Sequence, residues 1–149
     1  WDGDPQFLED KAYPIKRLYE KLGALKAKRV VMAMDSCFSG AGGRSVLAKG
    51  SRPLVNKIEK ISEVDDKIVS FSAAAGDQIS GTMDDQGHGA FTYFLLKGLG
   101  GEAGAGGKVT VKALYDYLSP KVADAARRQN RDQTPQLMSA EEAGEQRLR

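Results

Sequence analysis

At 149 residues, with one cysteine and a net charge of +2, the chain is the size of a single domain with room for a real core. Its 22 basic and 20 acidic side chains nearly balance, so there is no electrostatic case for nucleic acid or a membrane surface, and no run approaches the roughly 20 apolar residues of a spanning helix. A lone cysteine excludes an internal disulfide and a multi-cysteine zinc site, and it fits a reducing, cytoplasmic setting with no secretory leader.

Residues 1–10 read as a loop, with Asp2-Gly3 and Asp4-Pro5 as turn signals. Trp1 stands where an initiator Met would, and the opening reads as a turn within a longer protein. Pro14 suits a first helical turn, and Ile15, Leu18, Tyr19, Leu22 and Leu25 follow helical spacing, which predicts a helix over about 13–25. The apolar run over 29–35 predicts a buried strand. Residues 38–53, with four glycines and the basic Arg44, Lys49 and Arg52, predict an exposed, mobile loop; 54–64 is ambiguous. Lys67–Ala73 predicts a second buried strand, followed by a polar loop over 74–80 and further loop over 81–88.

Gly89–Leu99 predicts a helix with Phe91, Phe94, Leu95 and Leu99 on its apolar side, stopped by glycines 98, 100 and 101. After a glycine-alanine linker, Thr110 is placed to cap a long helix reaching about Arg128. Its buried stripe is Val111, Leu114, Tyr115, Leu118 and Val122, and Pro120 predicts a kink or break near Ser119. Gln133–Met138 predicts a short edge strand, and the Glu/Ala/Arg-rich segment 139–149 is expected to fray. Strands separated by helices imply an α/β fold with a mostly parallel sheet. Two strong strands make a thin sheet. Sequence missing upstream is one reading, and a second copy or partner chain covering an exposed edge is the other. The basic clusters Lys26–Arg29 and Arg127–Arg131 lack interleaved aromatics and read as solvated helix ends.

The chemistry-bearing stretch is Asp35-Ser36-Cys37-Phe38-Ser39-Gly40. It falls where the first strand ends, and ligands of open α/β sheets sit beyond the carboxyl ends of strands. From the residues alone Cys37 reads either as a nucleophile or as an inert thiol. The glycines after it allow close backbone approach and free N–H groups for an oxyanion. Gly40-x-Gly42 is not a dinucleotide fingerprint, because Ser45 stands where the third glycine belongs. Gly-Gly-Arg-Ser lacks the Gly-Lys-Ser/Thr of a phosphate-binding loop.

This stretch resembles the Asp-x-Cys-x-Ser-Gly segment of clan-CD caspase-like cysteine peptidases, closest to metacaspases and bacterial caspase homologues. Ser72–Ser80 resembles the strand and loop that follow in that family. Gly89-Ala90-Phe91-Thr92-Tyr93 resembles its Gly-x-Phe-Thr helix start. Asp2-Gly3-Asp4-Pro5 and Gln133-Thr134-Pro135-Gln136 resemble its loop before the cysteine segment and its final strand. The resemblance covers about 1–138 and implies a caspase-like three-layer sandwich, N-terminally incomplete, that cleaves peptide or protein substrates after Arg or Lys. It implies Cys37 as nucleophile, with its own N–H as an oxyanion donor. It implies Asp35 as the acid that pairs with the substrate cation, with Asp77 a further candidate beside it. Asp35 also reads as a carboxylate capping the turn, and Asp77 as an ordinary loop residue. No cofactor is implied. Some relatives use calcium, but Gly101–Gly107 holds only Glu102 as an acid nearby and cannot form an EF-hand-like loop, so no metal site is expected.

One departure stands against the resemblance. The family carries its acid/base histidine upstream of the cysteine in Ser-Gly-His-Gly, and no histidine precedes Cys37 here. The one histidine, His88, lies downstream in Gln86-Gly87-His88-Gly89, and reads as a surface residue or a substitute base. Three readings follow: a peptidase, a binding or scaffold protein retaining the fold, or one part of an assembly whose partner supplies the histidine. Relatives cut themselves in the region matching 44–52. Cleavage after Arg44, Lys49 or Arg52 is therefore expected on storage, and it should disappear in Cys37→Ala. Intact mass spectrometry checks this, and uncut chains in both proteins would remove the expectation.

Overall fold

The computed structural model describes residues 13–36, 64–75, 78, 80–83 and 87–148. The expectations for 1–10, 38–53 and 54–63 lie outside them, as do Cys37 and Asp77. The described chain is a mixed α/β fold with a small mixed sheet and three helices. Helix α1 spans Ile15–Gly23, with Pro14 in extended conformation just before it. Strand β1 spans Val30–Met34 and pairs in parallel with β2, Ile68–Ser72, in the register Val30↔Ile68 to Met34↔Ser72. Strand β5, Gln136–Met138, lies antiparallel on the other edge of β2, with Phe71 opposite Leu137. One parallel and one antiparallel pair thus replace the mostly parallel sheet expected.

Strand β2 organises the packing because its two faces meet different partners. Val69 and Phe71 enter the main core with Phe91, Val109, Val111, Leu114, Leu118 and Val122. Ser70, buried on the opposite face, accepts a 2.9 Å hydrogen bond from the Tyr19 hydroxyl of α1, so neither polar group is left unpaired. Strand β1 departs from the buried run expected. Its exposure alternates along the strand, and Val31 is 49% exposed although its register partner Val69 is wholly buried. The core helices gather over β2, and β1 and β5 are the two edges of the sheet among the described strands.

Two short strands, β3 (Thr82–Met83) and β4 (His88–Gly89), pair as an antiparallel hairpin where loop was expected. Helix α2 follows at once, Ala90–Lys97, and runs on through a wide turn at Gly98–Glu102 in which Gly101 adopts φ 123°. Glu102 closes this turn by accepting from the Tyr117 hydroxyl at 2.6 Å and pairing with Lys97 at 2.9 Å. Burial and the bond to Glu102 push the Tyr117 phenol up to about 12.

Helix α3, Val111–Arg127, begins at Thr110, whose side-chain oxygen accepts from the Ala113 N–H at 3.1 Å. The helix runs unbroken through Pro120, where a kink or break was expected. Leu118 and Val122, on either side of the proline, are wholly buried, so core packing holds the turn that the proline weakens. Residues 139–148, expected to fray, dock on the start of α3. Val111 N–H bonds Gln146 O, Lys112 N–H bonds Gly144 O, Leu148 N–H bonds Val109 O, and Ala143 is wholly buried. The first two of these bonds use orphan donors at a helix N-terminus, which gives a polar segment a reason to stay. Among the described residues, no helix is long and apolar enough to cross a membrane.

Lys67 joins α1 to the sheet. Its ammonium donates to Gly23 O and to Leu25 O (3.0 Å) just past the helix end, and pairs with Asp65 at 3.4 Å. The Lys67 N–H also donates to Asp65, and this bond is the first cause holding the Asp65 carboxyl below its ordinary 3.8. A lowered folded-state value means the contribution is present above 3.8 and fades as pH falls through the folded value. Denaturant unfolding in steps below pH 3.8 should therefore show a smaller acid loss in Asp65→Asn than in wild type. Equal acid slopes would show that this carboxylate contributes nothing.

Candidate functional site

Asp35 is the first residue past β1. The Ala73 N–H bonds Met34 O at 2.9 Å, carrying the β1–β2 pairing up to that point. The side chain therefore emerges at the carboxyl end of the parallel pair, where α/β proteins place their chemistry. It is exposed, and both carboxylate oxygens accept hydrogen bonds. Ser80 Oγ donates to Oδ1 at 2.5 Å, and Thr92 Oγ1 donates to Oδ2 at 2.6 Å. Gly89 lies directly against Oδ2, so closely that a β-carbon there would collide with it.

Local sequence explains the approach of each partner. Thr92 sits in the first turn of α2, where a β-branched side chain has few rotamers and the helix end favours a negative neighbour. Gly89 precedes that helix and pairs with Thr82 in the hairpin, and the Ala90 N–H bonds Gly81 O at 2.8 Å. Ser80 belongs to the loop after β2, which a buried glutamine braces. Gln133 is 1% exposed; its amide N–H donates to Ala73 O at 2.9 Å, and its carbonyl accepts from the Gly81 N–H at 2.7 Å. Gln78 adds a second brace, its carbonyl oxygen accepting from the Thr134 N–H at 2.6 Å and from the Ala75 N–H at 3.3 Å. The Tyr115 hydroxyl donates to Pro135 O at 3.0 Å and ties this segment to α3.

Four of the segments singled out in the sequence thus meet around one carboxylate and its supports: the end of β1, the loop after β2, the start of α2 and Gln133–Gln136. Asp35 was singled out. Ser80, Thr92 and Gln133 lie within the quoted motifs, but their part in holding Asp35 was not read. The available signal was their residue type, short polar side chains at the mouth of a sheet. Cys37 and Asp77 lie outside the described residues. His88 is exposed and pairs with Met83 in the hairpin. Gly89 turns its α-carbon toward Asp35, so alternation along the strand sends the His88 imidazole to the other face. No group of three acidic, histidine or cysteine side chains able to hold a metal forms among the described residues.

The arrangement can receive a cation. An ionised carboxylate accepts only, with about four lone-pair sites, and the two hydroxyls occupy one on each oxygen. Compared with protein-family models, curated proteins and solved structures, the chain has no significant match to any of them.

The contact between Gly89 and Asp35 makes a direct test of this geometry. Gly89→Ala should push the exposed Asp35 carboxylate aside and cost about 1 kcal/mol in denaturant unfolding, the size of the Thr92 hydrogen bond it displaces. In an Asp35→Ala background the same change should cost far less, because the colliding atoms are gone. Equal costs in both backgrounds would place the carboxylate elsewhere.

Proposed function

We propose that the chain is a caspase-like cysteine endopeptidase that cleaves peptide or protein substrates after Arg or Lys. The reading rests on the ordered motifs around Asp35-Ser36-Cys37, Ser72–Ser80, Gly89–Tyr93 and Gln133–Gln136. One observation carries it: an exposed carboxylate, oriented by two hydroxyls, stands at the carboxyl end of β1 two residues before the only cysteine. A guanidinium or ammonium before the scissile bond would pair with Asp35, and this would set the peptide carbonyl beside Cys37.

The chemistry is acyl transfer. The Cys37 thiolate attacks the carbonyl carbon, a C–S bond forms, and the negative charge moves to oxygen, where the Cys37 N–H would donate to it. Collapse breaks the C–N bond, and the departing amine takes a proton from a general acid. Water then hydrolyses the thioester, releasing the carboxyl product and the thiol. The hairpin turns the His88 imidazole away from Asp35, so the general acid of this proposal is a histidine that a partner chain would supply at the β1 edge, with His88 the lesser candidate. The finer fold reading that goes with this proposal is a caspase-like three-layer sandwich.

The placement of His88 on the hairpin face away from Asp35 favours a second reading, a binding or scaffold protein that keeps the fold and the pocket acid. An arginyl chloromethyl ketone separates the two. The peptidase reading expects it to alkylate Cys37 at least about a hundredfold faster than a model thiol, as binding and thiolate activation together imply. It also expects Asp35→Asn to remove most of that advantage while leaving the rate with iodoacetamide unchanged. Alkylation no faster than the model thiol would establish the scaffold reading instead.

A further inference from the structure

We infer that Ser80 and Thr92 are positioning residues that make Asp35 select a guanidinium over an ammonium. The inference deepens the reading above and rests on it.

An aspartate at an exposed strand end turns easily about its last torsion, because that rotation is broad and roughly two-fold. Here it is held from both oxygens. Ser80 reaches Oδ1 from the loop after β2, and Thr92 reaches Oδ2 from the first turn of α2. Gly89 has no β-carbon, and Oδ2 fills the space that one would take. The donors are themselves fixed. Thr92 is β-branched within a helix, and Ser80 follows a loop that the buried Gln133 ties at Ala73 and Gly81. The plane of the carboxylate is therefore set before any ligand arrives.

A fixed plane matters to one cation and hardly to the other. A guanidinium is a rigid planar fork whose two N–H groups need both carboxylate oxygens in register. An ammonium is a compact point charge with rotatable donors, and it pairs with a carboxylate in almost any orientation. The two hydroxyls leave lone pairs on both oxygens, so they orient the acid without filling it. Removing either hydroxyl frees the plane, which costs the bidentate ligand more than the monodentate one.

Binding of Nα-acetyl-arginine amide and Nα-acetyl-lysine amide to the full chain, followed by calorimetry or NMR titration, tests this without requiring turnover. Wild type should bind the arginine ligand more tightly. Ser80→Ala and Thr92→Val should each weaken it by about tenfold, the size of one charge-assisted hydrogen bond, while the lysine ligand weakens by less than about threefold. Ser80→Thr and Thr92→Ser, which keep the hydroxyls, should restore the preference. If Thr92→Val does not fold, the Ser80 pair of variants decides.

Equal weakening of both ligands would overturn the inference, since the hydroxyls would then only support the loop. Binding that Asp35→Asn abolishes but Ser80→Ala and Thr92→Val leave unchanged would overturn it too, with the proposed function intact. Arginine and lysine ligands that bind equally in wild type would do the same. If neither ligand binds, or if Asp35→Asn leaves binding unchanged, the inference and the assignment of Asp35 fall together.

Discussion

A single carboxylate joins segments that the chain keeps far apart. Asp35 takes hydroxyls from residues 45 and 57 positions downstream, and each comes from a different element. The geometry depends on both sides being held. β1 delivers the acid through its pairing with β2, and the hairpin and α2 deliver Gly89 and Thr92. A charge-assisted hydrogen bond is stronger than a neutral one, but at an exposed position water competes for both partners. The order here therefore comes from rigid elements on each side more than from the strength of the two bonds.

The support is buried even though the acid is not. Gln133 satisfies one backbone donor and one backbone acceptor in the interior, where an unpaired polar group would be costly. It stands just before β5, so the segment that leads into this antiparallel strand also braces the loop carrying Ser80.

Much of the fold could be read from local pattern. β2 is buried along most of its length, as Ile68, Val69 and Phe71 foretell, and α3 carries both its threonine cap and its stripe. The failures have physical causes. The hairpin strands at 82–83 and 88–89 are too short and polar for periodicity to show. β1 is more apolar than β2, but exposure depends on which helices lie over a strand, and they gather over its neighbour. Residues 139–148 look like a fraying tail because their anchor is backbone hydrogen bonding to the start of α3, which leaves little mark on composition. Pro120 argues for a break locally, and core contacts on both sides of it carry the helix through.

What the amino-acid order settled alone is chemical: one thiol, one imidazole, an acid two residues before the thiol, and the apolar runs and caps that place them relative to strands and helices. These follow from residue type and short-range spacing, which act over a few positions of the chain. Tertiary structure decided which side chains reach Asp35, that the carboxylate fills the space beside Gly89, and that a buried glutamine holds the facing loop. Hydroxyl donors are interchangeable in a linear pattern. Only packing of distant elements determines which two of them come within bonding distance of one carboxylate.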